Sequence, residues 1–199
     1  MKSDVCKIEQ GTQDLTAILK ESERVAAYMG LTHKQTLQLR LLCEEVDGML
    51  PRLIDDFEGD IWFEYEAGVC KVKVSISIPQ FHAGKKEKLI ELSTDKKNTA
   101  AVGLVGRIRD AIENFFLSEE AIWALSVSTG TFRLATGYSE GVDYTYLWSL
   151  EQYRSAMTEE TQPEAWDELE KSVIASVADD VIVGVKGSRA EIMIVKNFA

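Results

Sequence analysis

Two adjacent carboxylates, Glu44 and Glu45, interrupt an otherwise apolar stretch and are the first residues that invite a chemical reading. A carboxylate on the flank of a helix can hold a hard cation or orient a water. It can equally be a solvated helix face. A second place is Gly103-Leu104-Val105-Gly106, at the start of a run with helical spacing. Free N–H groups at a helix N-terminus attract phosphate, although paired glycines beside a helix also permit close packing. His33 and His82 stand far apart, and neither H-E-x-x-H nor Cys-x-x-Cys occurs, so no metal site is expected from them. The G-x-S-x-G elbow and the G-x-x-x-x-G-K-[ST] phosphate loop are also missing.

The elements that must carry these residues follow from periodicity. Leu15, Ile18, Leu19, Val25, Ala26 and Met29 form one stripe, predicting a helix from about Thr12 that Gly30 stops in the left-handed conformation. Thr32 and Gln35 make a capping box for a second helix, with Leu39, Leu42, Cys43, Val46, Leu50 and Leu53 toward the core. Glu45 and Met49 are placed on its flank, and Pro51 should kink or end it. From Ile61 the period becomes two. Ile61–Glu66 and Val69–Ile78 read as a hairpin around Ala67-Gly68, with Gly59 in the preceding connection.

A polar loop, 80–98, precedes a third helix over Ala100–Phe116, and a fourth is expected from Ser118. Residues 128–145 give no clear pattern. Ser149 with Gln152 repeats the capping-box spacing, Pro163 suits a helix first turn, and one helix is expected through Trp166 to Val177. A closing hairpin, Val181–Lys186 and Ala190–Phe198, turns at Gly187-Ser188. Without alternating βαβ units, the order predicts an α+β fold: a two-layer α/β sandwich, its sheet mostly antiparallel with helices on one face.

Taken in order, Gly30-Leu31-Thr32, LRLLCEEVDGML over 39–50, the hairpin, the polar loop, AVGLVGRIRDAI over 101–112 and the closing hairpin resemble the histidine-kinase-like ATPases of the Bergerat fold. Within that superfamily the anti-sigma-factor serine kinases are the most similar branch. The resemblance spans 8–116 and 180–198. It implies one domain over 1–199 with an insertion at about 117–179. It gives Glu45 the place of the catalytic glutamate and Met49 that of a magnesium-binding asparagine. Gly84 falls in the adenine turn, and Gly103, Leu104 and Gly106 in the phosphate-wrapping segment. ATP or ADP is the implied ligand. Three departures accompany it: Met49 offers no oxygen to magnesium, no aspartate stands within Pro79–Gly84, and Ala101 and Val105 replace glycines.

The bulk composition narrows the partners. A net charge of -11 lacks the basic face that nucleic acid requires. Lys85, Lys86 and Lys88, with Lys96 and Lys97, read as a solvated loop or a patch for a small anion. Cys6, Cys43 and Cys70 are odd in number and scattered, which suits reduced thiols in the cytoplasm, with Cys43 packed as a small hydrophobe. Neither a leader-like start nor an apolar run near the roughly 20 residues of a membrane span is present. The expectation is a cytoplasmic regulatory protein that binds a protein partner or a second copy of itself. Trp123, Tyr144, Tyr146, Trp148, Tyr153 and Trp166 are the candidate anchors. An active Mg-ATP-dependent serine kinase and a sensor of a small anionic ligand, with His82 and the lysines, are the alternatives.

Overall fold

Strict apolar–polar alternation builds the middle of the sheet. In the computed structural model, which describes residues 1–11, 15–54, 57–77, 103–117, 145–156, 163–186 and 189–199, β2 (Glu58–Glu66) and β3 (Val69–Ser77) pair antiparallel with Phe63 opposite Val72. Ala67 and Gly68 both have positive φ, 48° and 86°, as a type I′ hairpin turn requires. β5 (Asp180–Lys186) and β6 (Arg189–Asn197) form the closing hairpin, and β6 pairs with β3. Short strands β1 (Cys6–Glu9) and β4 (Thr145–Ser149) complete a six-stranded, wholly antiparallel sheet in the order β1-β2-β3-β6-β5-β4.

Six helices are described: α1 (Leu15–Met29), α2 (His33–Leu53), α3 (Gly103–Leu117), α4 (Leu150–Ala156), α5 (Pro163–Glu170) and α6 (Val173–Val177). At the end of α1, Gly30 has φ 67°, and the N–H groups of Gly30 and Leu31 donate to Ala27 and Ala26. That paired pattern closes the helix and starts the next within three residues. Thr32 then caps α2, its hydroxyl accepting from the Gln35 N–H while the Gln35 side chain accepts from the Thr32 N–H. Ser149 likewise accepts from the N–H of Gln152 at the head of α4.

Apolar residues from the sheet and the helices share one core. Ile61, Phe63, Val72, Val74, Ile76, Val181, Val183, Ile192 and Ile194 are all buried, as are Leu39, Leu42, Cys43, Val46, Leu50 and Leu53 of α2. Cys43 and Cys70 are buried free thiols, and burial pushes the Cys70 thiol up to about 12 and that of Cys43 higher still. Both behave as small hydrophobes.

Four expectations are corrected. Met49 does not sit on the flank of α2: at 2% exposure it belongs to the core. Its helix packs against α1, α3 and α6, so the buried sector is wider than the apolar stripe. Pro51 does not itself end α2, which continues two residues further to Leu53. Gly59 lies inside β2 rather than in a connection, between Ile8 and Ile76, where an added methyl would collide with the Ser75 carbonyl. The helix expected through Val177 breaks at Lys171, because Ser172 leaves the helical conformation to cap α6 and accepts from the Ala175 N–H. Ile78, the loop 80–98, the helix from Ser118, residues 128–144 and the turn Gly187-Ser188 lie outside the described residues.

The opposite face of the sheet carries a polar chain. Arg189 donates to the Ser75 hydroxyl at 2.7 Å and to Asp60 at 3.1 Å, and Lys7 pairs with Asp60 at 2.6 Å. Ser75 donates in turn to Glu191 at 2.5 Å. Burial of Glu191 outweighs Ser75, Arg189, Lys186 and Lys73 and holds its carboxyl above the usual range. A raised folded-state pKa means that ionisation costs more in the native than in the unfolded chain, so this carboxylate lowers stability as pH rises through that range. Glu191→Gln should therefore raise Tm at pH 7, with the gain fading below about pH 4. Thermal unfolding at several pH values tests the sign, and a lower Tm for the variant at pH 7 would contradict it.

Candidate functional site

α2 presents Glu44, Glu45, Gly48, Met49 and Arg52 on one side, at spacings of one, three and four residues. This side faces the first residues of α3 and the segment 171–174, and the three enclose a cavity of about 310 Å³. Its floor is apolar, with Met49, Leu104 and Ile174 at 2–3% exposure. Its rim is polar: Glu44, Glu45, Arg52, Lys171 and Ser172.

Two of the four rim charges are already engaged. Glu44 accepts from Arg40 at 3.1 Å, which also reaches Glu23, and Lys171 pairs with Asp167 at 2.6 Å. Glu45 and Arg52 have no ion-pair or hydrogen-bond partner among the described residues. The other wall begins at Gly103, where φ is 82°. A side chain is strained there, so the chain's entry into α3 itself calls for glycine. The first N–H groups of α3 have no partner within their own helix and give that wall a partial positive charge.

The sequence-derived residues divide as follows. Glu45, Met49, Gly103 and Leu104 come together on the cavity, although 54 positions separate Met49 from Gly103. Gly106 is buried on α3 away from it. Gly84 lies outside the described residues, as do His82 and the lysines at 85, 86 and 88. Arg52, Lys171, Ser172, Val173 and Ile174 escape sequence reading. The only hint was the charged, serine-bearing junction Glu170-Lys171-Ser172 within an assumed helix.

Of the candidate anchors, Trp148 and Tyr153 pack against the core with ring centroids 5.7 Å apart. Trp166 lines a second hollow of about 270 Å³ with Arg154, Leu169, Glu170, Ala175 and Ser176. Polar groups there are already satisfied, since Arg154 donates to the Ala175 carbonyl and Trp166 to Glu170. The α2–α3 cavity is the better site because Glu45 and Arg52 on its rim have no partner among the described residues. No protein-family profile, curated protein or solved structure matches the chain.

Magnesium does not fit the floor. A hard cation wants several oxygen ligands, whereas the side chain one turn beyond Glu45 is the buried thioether of Met49. Among the described residues no group of three or more His, Cys, Asp or Glu side chains comes together. Also among these residues, no helix is long and apolar enough to cross a membrane.

Gly48 is the anomaly of the wall. It sits within α2, has an ordinary φ, and a methyl added to it would meet nothing within 4 Å. A mid-helix glycine costs roughly 0.5–1 kcal/mol relative to alanine. Gly48→Ala should therefore raise stability by about that amount in denaturant titration. Destabilisation would show that the fold needs the glycine.

Proposed function

We propose that this chain is a regulatory protein of histidine-kinase-like ATPase architecture, nearest the anti-sigma-factor kinases, that acts by binding a protein partner and has lost magnesium-dependent phosphoryl transfer. One observation carries the loss. The position that the resemblance assigns to a metal-binding asparagine is Met49, buried on the floor of the cavity. Phosphoryl transfer relies on metal to bridge and neutralise the phosphate oxygens, and neither Glu45 alone nor a thioether supplies that.

The architecture is supported by the order of the pieces. α2 carries Glu45, the β2–β3 hairpin follows, α3 opens on Gly103 against α2, and the closing hairpin β5–β6 docks on β3. In this reading 1–199 is one domain, and the insertion at 117–179 adds β4 to the sheet and Lys171–Ile174 to the cavity wall. The cavity itself favours a second role, a small ligand that modulates the protein, since its volume falls at the low end of small-molecule sites.

Thermal unfolding with ATP or ADP, with and without magnesium, tests the loss of chemistry. A nucleotide at 100 times its dissociation constant adds about 2.7 kcal/mol. The expected result is that magnesium adds nothing to any nucleotide effect. A magnesium-dependent rise in Tm that disappears in Glu45→Ala would overturn the proposal and restore the kinase alternative.

A further inference from the structure

Three features of the cavity share one side of α2. Glu45 and Arg52 are unpaired among the described residues and stand seven positions apart, two helical turns, with about 10 Å of helix between them. They are too far apart along the helix to satisfy each other as an i, i+4 pair would. Between them Gly48 leaves the helix backbone bare, although neither its φ nor its packing demands glycine. Beneath lie Met49, Leu104 and Ile174, all buried and apolar. A carboxylate at one end, a guanidinium at the other and an open apolar trough between them describe the complement of a particular molecule.

We infer that the cavity binds a small zwitterion, the size of an amino acid or dipeptide, lying along α2 against Gly48. Its ammonium group meets Glu45 and its carboxylate meets Arg52. The inference deepens the small-ligand role of the cavity and rests on it. A nucleotide suits these charges less well: its phosphates find Arg52 and the N–H groups at the start of α3, but they repel Glu45. Glu45 is half-buried and Arg52 exposed, so a ligand lying over both shields them from water and strengthens each contact, and loss of either should be felt.

Calorimetric titration of the full chain tests this with 4-aminobutyrate, 6-aminohexanoate and alanyl-leucine as probes and N-acetyl-alanyl-leucinamide as the uncharged control. At least one zwitterion should bind at millimolar or lower concentration, and the blocked peptide should not. Glu45→Gln and Arg52→Gln should each weaken binding at least tenfold. Gly48→Leu should abolish it while Tm stays at or above the wild-type value, which separates a filled trough from a misfolded chain. The inference is overturned if none of the three zwitterions binds, if the blocked peptide binds equally well, or if binding ignores Glu45→Gln. Those failures leave the loss of phosphoryl transfer untouched, since that is read with magnesium and nucleotide instead.

Discussion

Phe63→Ala is expected to cost about 3–5 kcal/mol of folding stability, the usual penalty for deleting a buried phenylalanine. Phe63 is 1% exposed in the middle of β2. It heads a row that crosses four strands through Val72, Ile194 and Val181, each fully or almost fully buried. Its removal opens a void where the row meets the helices, and the rigid strands on either side limit collapse. Because domains are stable by only about 5–15 kcal/mol, much of the margin would go. The neighbouring Trp62 gives the internal comparison. It points to the polar face, donates to Glu64 at 3.0 Å and lies under Lys2 at 5.0 Å. Trp62→Ala should cost nearer 1 kcal/mol. Urea titration of both variants measures the difference, and equal costs would mean that the faces of β2 are wrongly assigned.

Met49→Asn is the second large effect, and it bears on function as well as stability. If position 49 were a vacated ligand site open to water, asparagine would be tolerated and would restore metal binding. The burial of Met49 predicts otherwise. Losing its apolar contacts and burying an amide in their place should together cost about 2–4 kcal/mol. Magnesium should not recover that loss, because one amide oxygen beside Glu45 is still far from a hard cation's coordination shell. A variant as stable as the wild type, or one stabilised by magnesium, would show that the floor is a ligand site in waiting.

Legibility in the sequence followed the length and regularity of each signal. The β2–β3 hairpin was readable because alternation persists through both strands and Ala67-Gly68 allows only a tight turn. Gly30 and the Thr32–Gln35 box were readable because capping is local chemistry. Glu45 and Gly103 could be assigned to one cavity only through the resemblance, and α2 and α3 do meet there. β1 and β4 were missed because four or five residues are too few to establish a period. The break before α6 was missed because Ser172 interrupts a pattern whose apolar spacing continues across it. Arg52 and Lys171–Ile174 were invisible for a different reason: a cavity wall is made by tertiary packing, and 119 positions separate Arg52 from Lys171. Met49 was misplaced because the stripe alone does not reveal that a helix is covered on several sides.

On the proposed reading, the cavity keeps the place of an ATPase centre while its floor is filled by the buried Met49. The most direct test is release of phosphate from Mg-ATP by the purified chain, measured beside Glu45→Gln. No turnover distinguishable between the two is the predicted result. Turnover by the wild-type chain that is lost in Glu45→Gln would contradict the account, because it would make Glu45 a working base and the cavity an active nucleotide site.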